Sequence, residues 1–204
     1  MNAINTVCAQ IFIAAVAFGL PVIGCAKPTP AAPPSSSVKA VDTSGLAAPV
    51  LFDTGKTKFR IRPPKNLFAS RQEANEFGRM YGWQGPPHGD RSCSSLTMSV
   101  GTFPKGEVPL ANEMLDEVME SLASQYKNLE VEKTQFMTIK NMKFCFTNWR
   151  ALQPTVNAEM KGCEYVGVKG NDVFVFGCSD VKPFDSTTLA LGKRWVESLE
   201  AGIK

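Results

Sequence analysis

The sequence has one histidine, His88, which removes most histidine-based catalysis and most zinc sites at the outset. It has no Cys-x-x-Cys, so neither a catalytic dithiol nor a pair of zinc knuckles is available. Gly-x-Gly-x-x-Gly, Walker, Gly-x-Ser-x-Gly and His-Glu-x-x-His patterns are all missing. No run of Lys or Arg stands out and the net charge is only +3, which excludes a protein that tracks a nucleic-acid backbone. No charged side chain precedes Lys27. The uncharged leader still lacks the roughly 20 continuous apolar residues of a membrane helix. Its apolar run, residues 11–24 (IFIAAVAFGLPVIG), is shorter and carries Pro21 near its end.

That run has the length of a secretory signal core, although no basic segment precedes it. It ends in Val22-Ile23-Gly24-Cys25. These four residues, after an apolar core, resemble the lipobox of bacterial lipoproteins. In that family a small residue before the cysteine admits the signal peptidase, and the cysteine is diacylated and becomes the mature N-terminus. The resemblance implies lipidation at Cys25 and attachment to a membrane through N-terminal acyl chains. Each buried methylene of such a chain contributes about 0.8 kcal/mol of membrane affinity. Ala26 stands where an Asp would signal inner-membrane retention, which leans towards an outer membrane facing the periplasm. The competing readings are an uncleaved signal anchor and a buried cysteine closing a core helix. Residues 26–49 then hold five prolines and few large apolar groups, too little to offset chain entropy. The expected organisation is a signal peptide over 1–24, a disordered tether over 25–50 and a folded domain over 51–204.

Within 51–204, Lys58 to Arg62 alternates apolar and basic before Pro63-Pro64, as a half-buried strand does. Arg79 to Gln84 and Ser94 to Phe103 read as further strands, while residues 67–78 are ambiguous. Leu115, Val118, Met119, Leu122 and Tyr126 recur at helical spacing, with Asn112 as candidate cap and Glu113, Asp116 and Glu117 near the N-terminal end. Val131–Ile139, Met142–Leu152, Met160–Val168 and Val173–Cys178 read as an antiparallel meander. Leu191, Trp195, Val196 and Leu199 then form the apolar face of a closing helix behind Asp185-Ser186. The pattern predicts an α+β domain, an antiparallel sheet of about six strands with helices packed on its faces.

Cys8 lies in the leader and Cys25 is the lipid site, leaving Cys93, Cys145, Cys163 and Cys178, an even number for an exported domain. A hairpin centred between Gly170 and Asn171 sets Val168 against Val173, Tyr165 against Phe176 and Cys163 against Cys178. A preceding hairpin centred on Pro154 would also set Cys145 against Cys163, with all three cysteines on one face. Cys163–Cys178 is the favoured bridge and Cys93–Cys145 the second. Four cysteines allow three pairings, and four free thiols remain the alternative.

Arg79, Tyr81, Trp83, His88 and Arg91 lie among glycines and prolines, and aromatics with arginine are the residue types that anchor interfaces. Tyr81 and Trp83 could equally fill the core from a strand. Phe59 to Pro64, Ser95 to Val100, Ile139 to Lys143, the Cys163–Cys178 hairpin and the Trp195 helix together resemble the PsbP-like fold, an α/β/α sandwich. That fold is shared by an extrinsic subunit of photosystem II, a Ran-binding transport factor and several bacterial lipoproteins. Here Pro64-Lys65-Asn66 replaces the family's usual Pro-Gly-aromatic opening. The resemblance implies a non-enzymatic docking or assembly module and carries over no functional residue. With the missing motifs, no catalytic residue, metal or cofactor is expected, and the lipoprotein reading adds an envelope protein as partner. The alternative is an envelope enzyme or metal-handling protein that uses the His88 loop.

Overall fold

Residues rich in β-branched and aromatic side chains fill the second half of the chain, and the computed structural model turns them into long strands. It describes residues 43–74, 78–85, 94–154 and 157–203. In chain order these form β1 (Val50–Asp53), β2 (Lys58–Ile61), β3 (Phe68–Ala74), β4 (Gly78–Gln84), β5 (Ser94–Thr102), helix α1 (Ala111–Gln125), β6 (Lys127–Val131) and β7 (Gln135–Ile139). There follow β8 (Met142–Gln153), β9 (Ala158–Lys169), β10 (Asp172–Val181), helix α2 (Thr188–Glu197) and β11 (Glu200–Ala201). The large sheet runs β3-β4-β5-β10-β9-β8-β6, with β7 also paired to β8, and a small sheet runs β1-β2-β11. Every pairing between these strands is antiparallel. The α+β class is as expected, but the strands exceed the expected six. Residues 50–61 build a sheet of their own with β11, and the ambiguous 67–78 stretch supplies β3.

Two turns show why the meander folds locally. Lys140 and Asn141 both adopt positive φ, 43° and 68°, the geometry of a tight two-residue hairpin between β7 and β8. Gly170 takes φ of 61° between β9 and β10, which a residue without Cβ does at no steric cost. That hairpin gives the expected register, with Val168 opposite Val173, Tyr165 opposite Phe176 and Cys163 opposite Cys178.

The β8–β9 hairpin differs. Gln153 pairs with Ala158, so the turn is centred beyond Pro154, and Cys163 stands opposite Asn148 rather than Cys145. Cys145 instead pairs with Val166. A shift of three residues is odd, and an odd shift moves a side chain to the other face of a sheet. Cys145 therefore belongs to the α1 side, while Cys163 and Cys178 belong to the α2 side.

Alternation along the strands builds one core on each face. On the α2 side, Phe59, Met98, Phe144, Phe174, Phe176, Trp195 and Leu199 are sealed from solvent. On the α1 side, Met114, Leu115, Val118 and Leu122 pack over Trp149, Val166, Val173 and Val175. Burying each side chain of this size stabilises by about 1.5–3 kcal/mol. The α1 cap is not Asn112. The helix starts after Leu110, whose N–H donates to the Glu113 carboxylate at 3.2 Å. At α2 the N-cap is Thr187, whose N–H and hydroxyl both donate to Asp185 Oδ1 at 2.7 Å.

The folded chain begins upstream of residue 51. Leu46 is buried in the α2-side core, Ala47 N–H donates to Pro63 O at 2.7 Å, and Arg194 Nε donates to Ser44 O at 3.2 Å. Residues 43–50 thus pack as part of the domain, although the sequence pattern assigns them to the tether. Among the described residues no helix is long and apolar enough to cross a membrane.

Candidate functional site

Where the β1–β2 turn meets the ends of β3, β4 and β5, a cavity of about 140 Å³ opens. Thr54, Lys56, Ala74, Gly78, Arg79, Val100 and Thr102 line it. The turn is set by polar contacts: Gly55 N–H donates to Asp53 Oδ1 at 2.7 Å, and Thr57 N–H donates to Thr54 Oγ1 at 3.0 Å. Gly78 is required by the close approach of β5, since a Cβ there would lie 2.0 Å from Val100 O. Thr102 Oγ1 donates to Asp172 Oδ1 at 2.7 Å, which fixes the far wall.

Arg79 is the cationic centre of this rim. Its side chain hydrogen-bonds that of Tyr81, whose phenol is held above its ordinary pKa first by burial. The Tyr81 ring itself is interior, edge-on to Phe52 with centroids 4.8 Å apart. Trp83 lies two residues further along β4 and is also interior, edge-on to Trp195 at 5.2 Å. Tyr81 and Trp83 are 5% and 7% exposed, so neither is a contact residue on an accessible loop. Alternation places them on the inward face of β4, with the phenol reaching the rim. The structure therefore brings Arg79, Tyr81 and Trp83 to one face of β4, with Arg79 at the cavity and Trp83 in the core beyond Tyr81. His88 and Arg91 lie outside the described residues, as do Cys25 and Cys93.

Lys56 and Thr54 are contributors the sequence reading missed. Their signal is the stretch Asp53-Thr54-Gly55-Lys56, turn residues between two short strands. Glu164 was missed as well. It sits on the α1 side with Val166 and Val168, where alternation along β9 puts it, and burial lifts its carboxyl pKa to about 8. The acid is accommodated because its neighbour in register is a glycine: a Cβ on Gly177 would lie 2.8 Å from Glu164 Oε2.

The described cysteines are poor nucleophiles. Burial pushes the Cys145 thiol up to about 11 and the Cys163 thiol up to about 12, and raises Cys178 further in the same direction. All three are buried free thiols. The expected Cys163–Cys178 pair stands in register, but the bridge is not formed, and Cys145 is on the opposite face. Among the described residues no group of three His, Cys, Asp or Glu could hold a metal ion. The rim's cations and hydroxyls suit capture of a small anionic or carbonyl-bearing group.

No family model and no curated protein matches the sequence. Solved structures do. The solution structure of cyanobacterial PsbP (CyanoP) from Synechocystis sp. PCC 6803 is 12% identical, covers 82% of this chain and 98% of its own, and superposes with a TM-score of 0.53. A Pseudomonas aeruginosa protein of unknown function is 11% identical over 76% of this chain and 99% of its own, with a TM-score of 0.49. A Bacteroides thetaiotaomicron VPI-5482 protein is 11% identical over 72% of this chain, with a TM-score of 0.46, and this chain spans only 46% of it. The likeness to PsbP is one of fold: the domain is an α+β domain of the PsbP-like kind, and at such identity activity does not transfer.

Proposed function

We propose that this chain is a lipid-anchored protein of the bacterial cell envelope, facing the periplasm, whose PsbP-like domain is a non-enzymatic binding or assembly module. The reading takes Cys25 as the acylated residue and the Arg79 rim as the surface that meets an envelope protein partner. The observation that carries the binding half is the rim itself: Arg79 and Lys56 flank one opening at the end of the sheet. Support for a non-enzymatic role comes from the burial of the described thiols and of Glu164 in the core, away from the rim. The anchor half rests on the lipobox-like sequence alone.

Two measurements on the full chain, produced in a bacterial host, test the two halves. The intact mass is expected to show cleavage before Cys25 and a gain of acyl chains, both lost in Cys25→Ala. Capture of an envelope protein by crosslinking is expected to fall at least tenfold in Arg79→Glu with the thermal midpoint unchanged. An unprocessed chain, soluble in the cytosol, sinks the anchor; capture indifferent to Arg79→Glu sinks the rim.

A further inference from the structure

The outer edge of the large sheet carries two large apolar side chains left in solvent. Phe136 is 76% and Val131 is 48% exposed. Both stand on strands that pair with β8, along consecutive stretches of it. Val131 faces Trp149 and Phe136 faces Cys145, and Trp149 and Cys145 both belong to the α1 side. Directly paired residues share a face, so Val131 and Phe136 lie on that side together. In a regular strand residues five apart would point to opposite faces. Here the register slips: Val131 to Gln135 is four steps, while their partners Trp149 to Phe146 are three. The extra residue is a β-bulge, and it turns Phe136 to the side of Val131. Among the described strands nothing pairs with β6 or β7 beyond β8. An exposed phenylalanine on an open strand edge is what monomeric sheets avoid.

We propose that this edge is the self-association surface of the protein, pairing antiparallel with the same edge of a second copy. The two-fold axis passes through the step from Lys133 to Thr134. In that register Val131 of each copy faces Phe136 of the other, which makes two apolar pairs on one face, about 13 Å apart along the strands. Leu129 faces Thr138 and Glu130 faces Met137, each with its counterpart on the same side of the sheet. A regular strand related to itself by a two-fold axis can pair only residues an even number apart. The bulge is what permits the odd offset of five, and so the edge is complementary to itself because of its irregularity. Lys133 of each copy lies diagonally across from Glu132 of the other, opposite in sign. The inference stands independently of the envelope assignment.

The test uses the full chain in detergent, so that any association through the apolar leader is common to every variant. Sedimentation of the wild type is expected to give a dimer that dissociates on dilution. Val131→Lys alone and Phe136→Glu alone are each expected to weaken it at least tenfold, with unchanged thermal unfolding. Mixing the two variants, one isotopically labelled for native mass spectrometry, is expected to restore a heterodimer. In that heterodimer one contact pairs the introduced charges and the other keeps Val131 against Phe136. Three results overturn the proposal: a wild type monomeric at every concentration, which would leave the strip to another partner; single variants that remain dimeric; or a mixture that recovers no heterodimer.

Discussion

The indole Nε1 of Trp149 donates to Oε1 of Glu164 at 3.2 Å, diagonally across β8 and β9 in the sheet interior. Around this bond the sheet is cleared of side chains, since a Cβ on Gly162 would lie 2.3 Å from the Trp149 ring. Burial raises the Glu164 pKa from 4.5 to about 8, against the smaller opposing effect of the indole N–H. Between these values the folded chain keeps a proton that the unfolded chain has lost. This contribution to stability is therefore complete below pH 4.5 and is lost as pH rises to about 8, on the order of 4 kcal/mol across the window. Glu164→Gln keeps an acceptor for Trp149 and removes the titration. Denaturant unfolding should find the variant and wild type similar at pH 4.5 and the variant more stable by several kcal/mol at pH 8. Asp180, also raised by burial, adds to the wild-type slope in the same sense and cancels in the comparison.

Helix α2 touches the sheet at a glycine. A Cβ on Gly192 would lie 2.5 Å from the Cys178 sulfur and 2.8 Å from its Cβ. Gly192→Ala in a helix would ordinarily stabilise by about 1 kcal/mol. Here overpacking wins, and a net loss of about 1–3 kcal/mol is expected. Cys178→Ala removes the offending sulfur, so the double variant should be more stable than the sum of the two single losses predicts. Additive losses in a double-mutant cycle would show that the helix simply shifts to make room.

How much of this was legible in the sequence follows from the range of the interaction involved. The Cys163–Cys178 register depends on a hairpin whose Gly170-Asn171 centre is local, and it came out as the spacing indicated. The Cys145 register depends on a looser turn beyond Pro154, where the sequence does not mark the centre, and a three-residue error changed its face. Trp195 and Leu115 could be assigned to core faces because helical periodicity records burial directly. The Arg79 rim could not be assembled, because Lys56 reaches it from another sheet, and nothing local records that meeting. Tyr81 and Trp83 looked like contact residues for the same reason, since composition does not say which face of a strand is covered.

The thiols give a compartment test. With burial lifting Cys145 from 9.0 to about 11, its thiolate fraction at pH 8 is roughly a hundredfold below that of an unfolded cysteine. Iodoacetamide should leave Cys145, Cys163 and Cys178 unmodified in the native chain over a period that labels an unfolded thiol fully. Antiparallel neighbours in register are close enough to bridge after modest side-chain rotation. If the chain is exported as proposed, protein isolated without reductant and then denatured should label Cys145 at once, and Cys163 and Cys178 only after reduction. Immediate labelling of all three would mean that Cys163 and Cys178 stay free in the native protein, as they are in the structure, and would remove the bridge as support for the envelope assignment.

The domain boundary makes the last prediction. Leu46 is 3% exposed and packs in the same cluster as Trp195 and Ile61. Beside it Arg62 Nη1 donates to Ala47 O at 3.2 Å, and Lys65 N–H donates to Gly45 O at 2.9 Å. Leu46→Ala in the full chain is expected to cost about 2–4 kcal/mol in denaturant unfolding, as a core truncation does. A surface tether residue would give under 0.5 kcal/mol. The consequence reaches function, because chain that packs on the domain cannot serve as stalk. With residues 43–50 committed, an anchor at Cys25 leaves 26–42 as spacer, about 50 Å if fully polyproline-like. A partner of the Arg79 rim must then lie within that distance, plus the domain's own width, of the membrane surface. Leu46→Ala with no loss of stability would return those residues to the spacer and lengthen its reach.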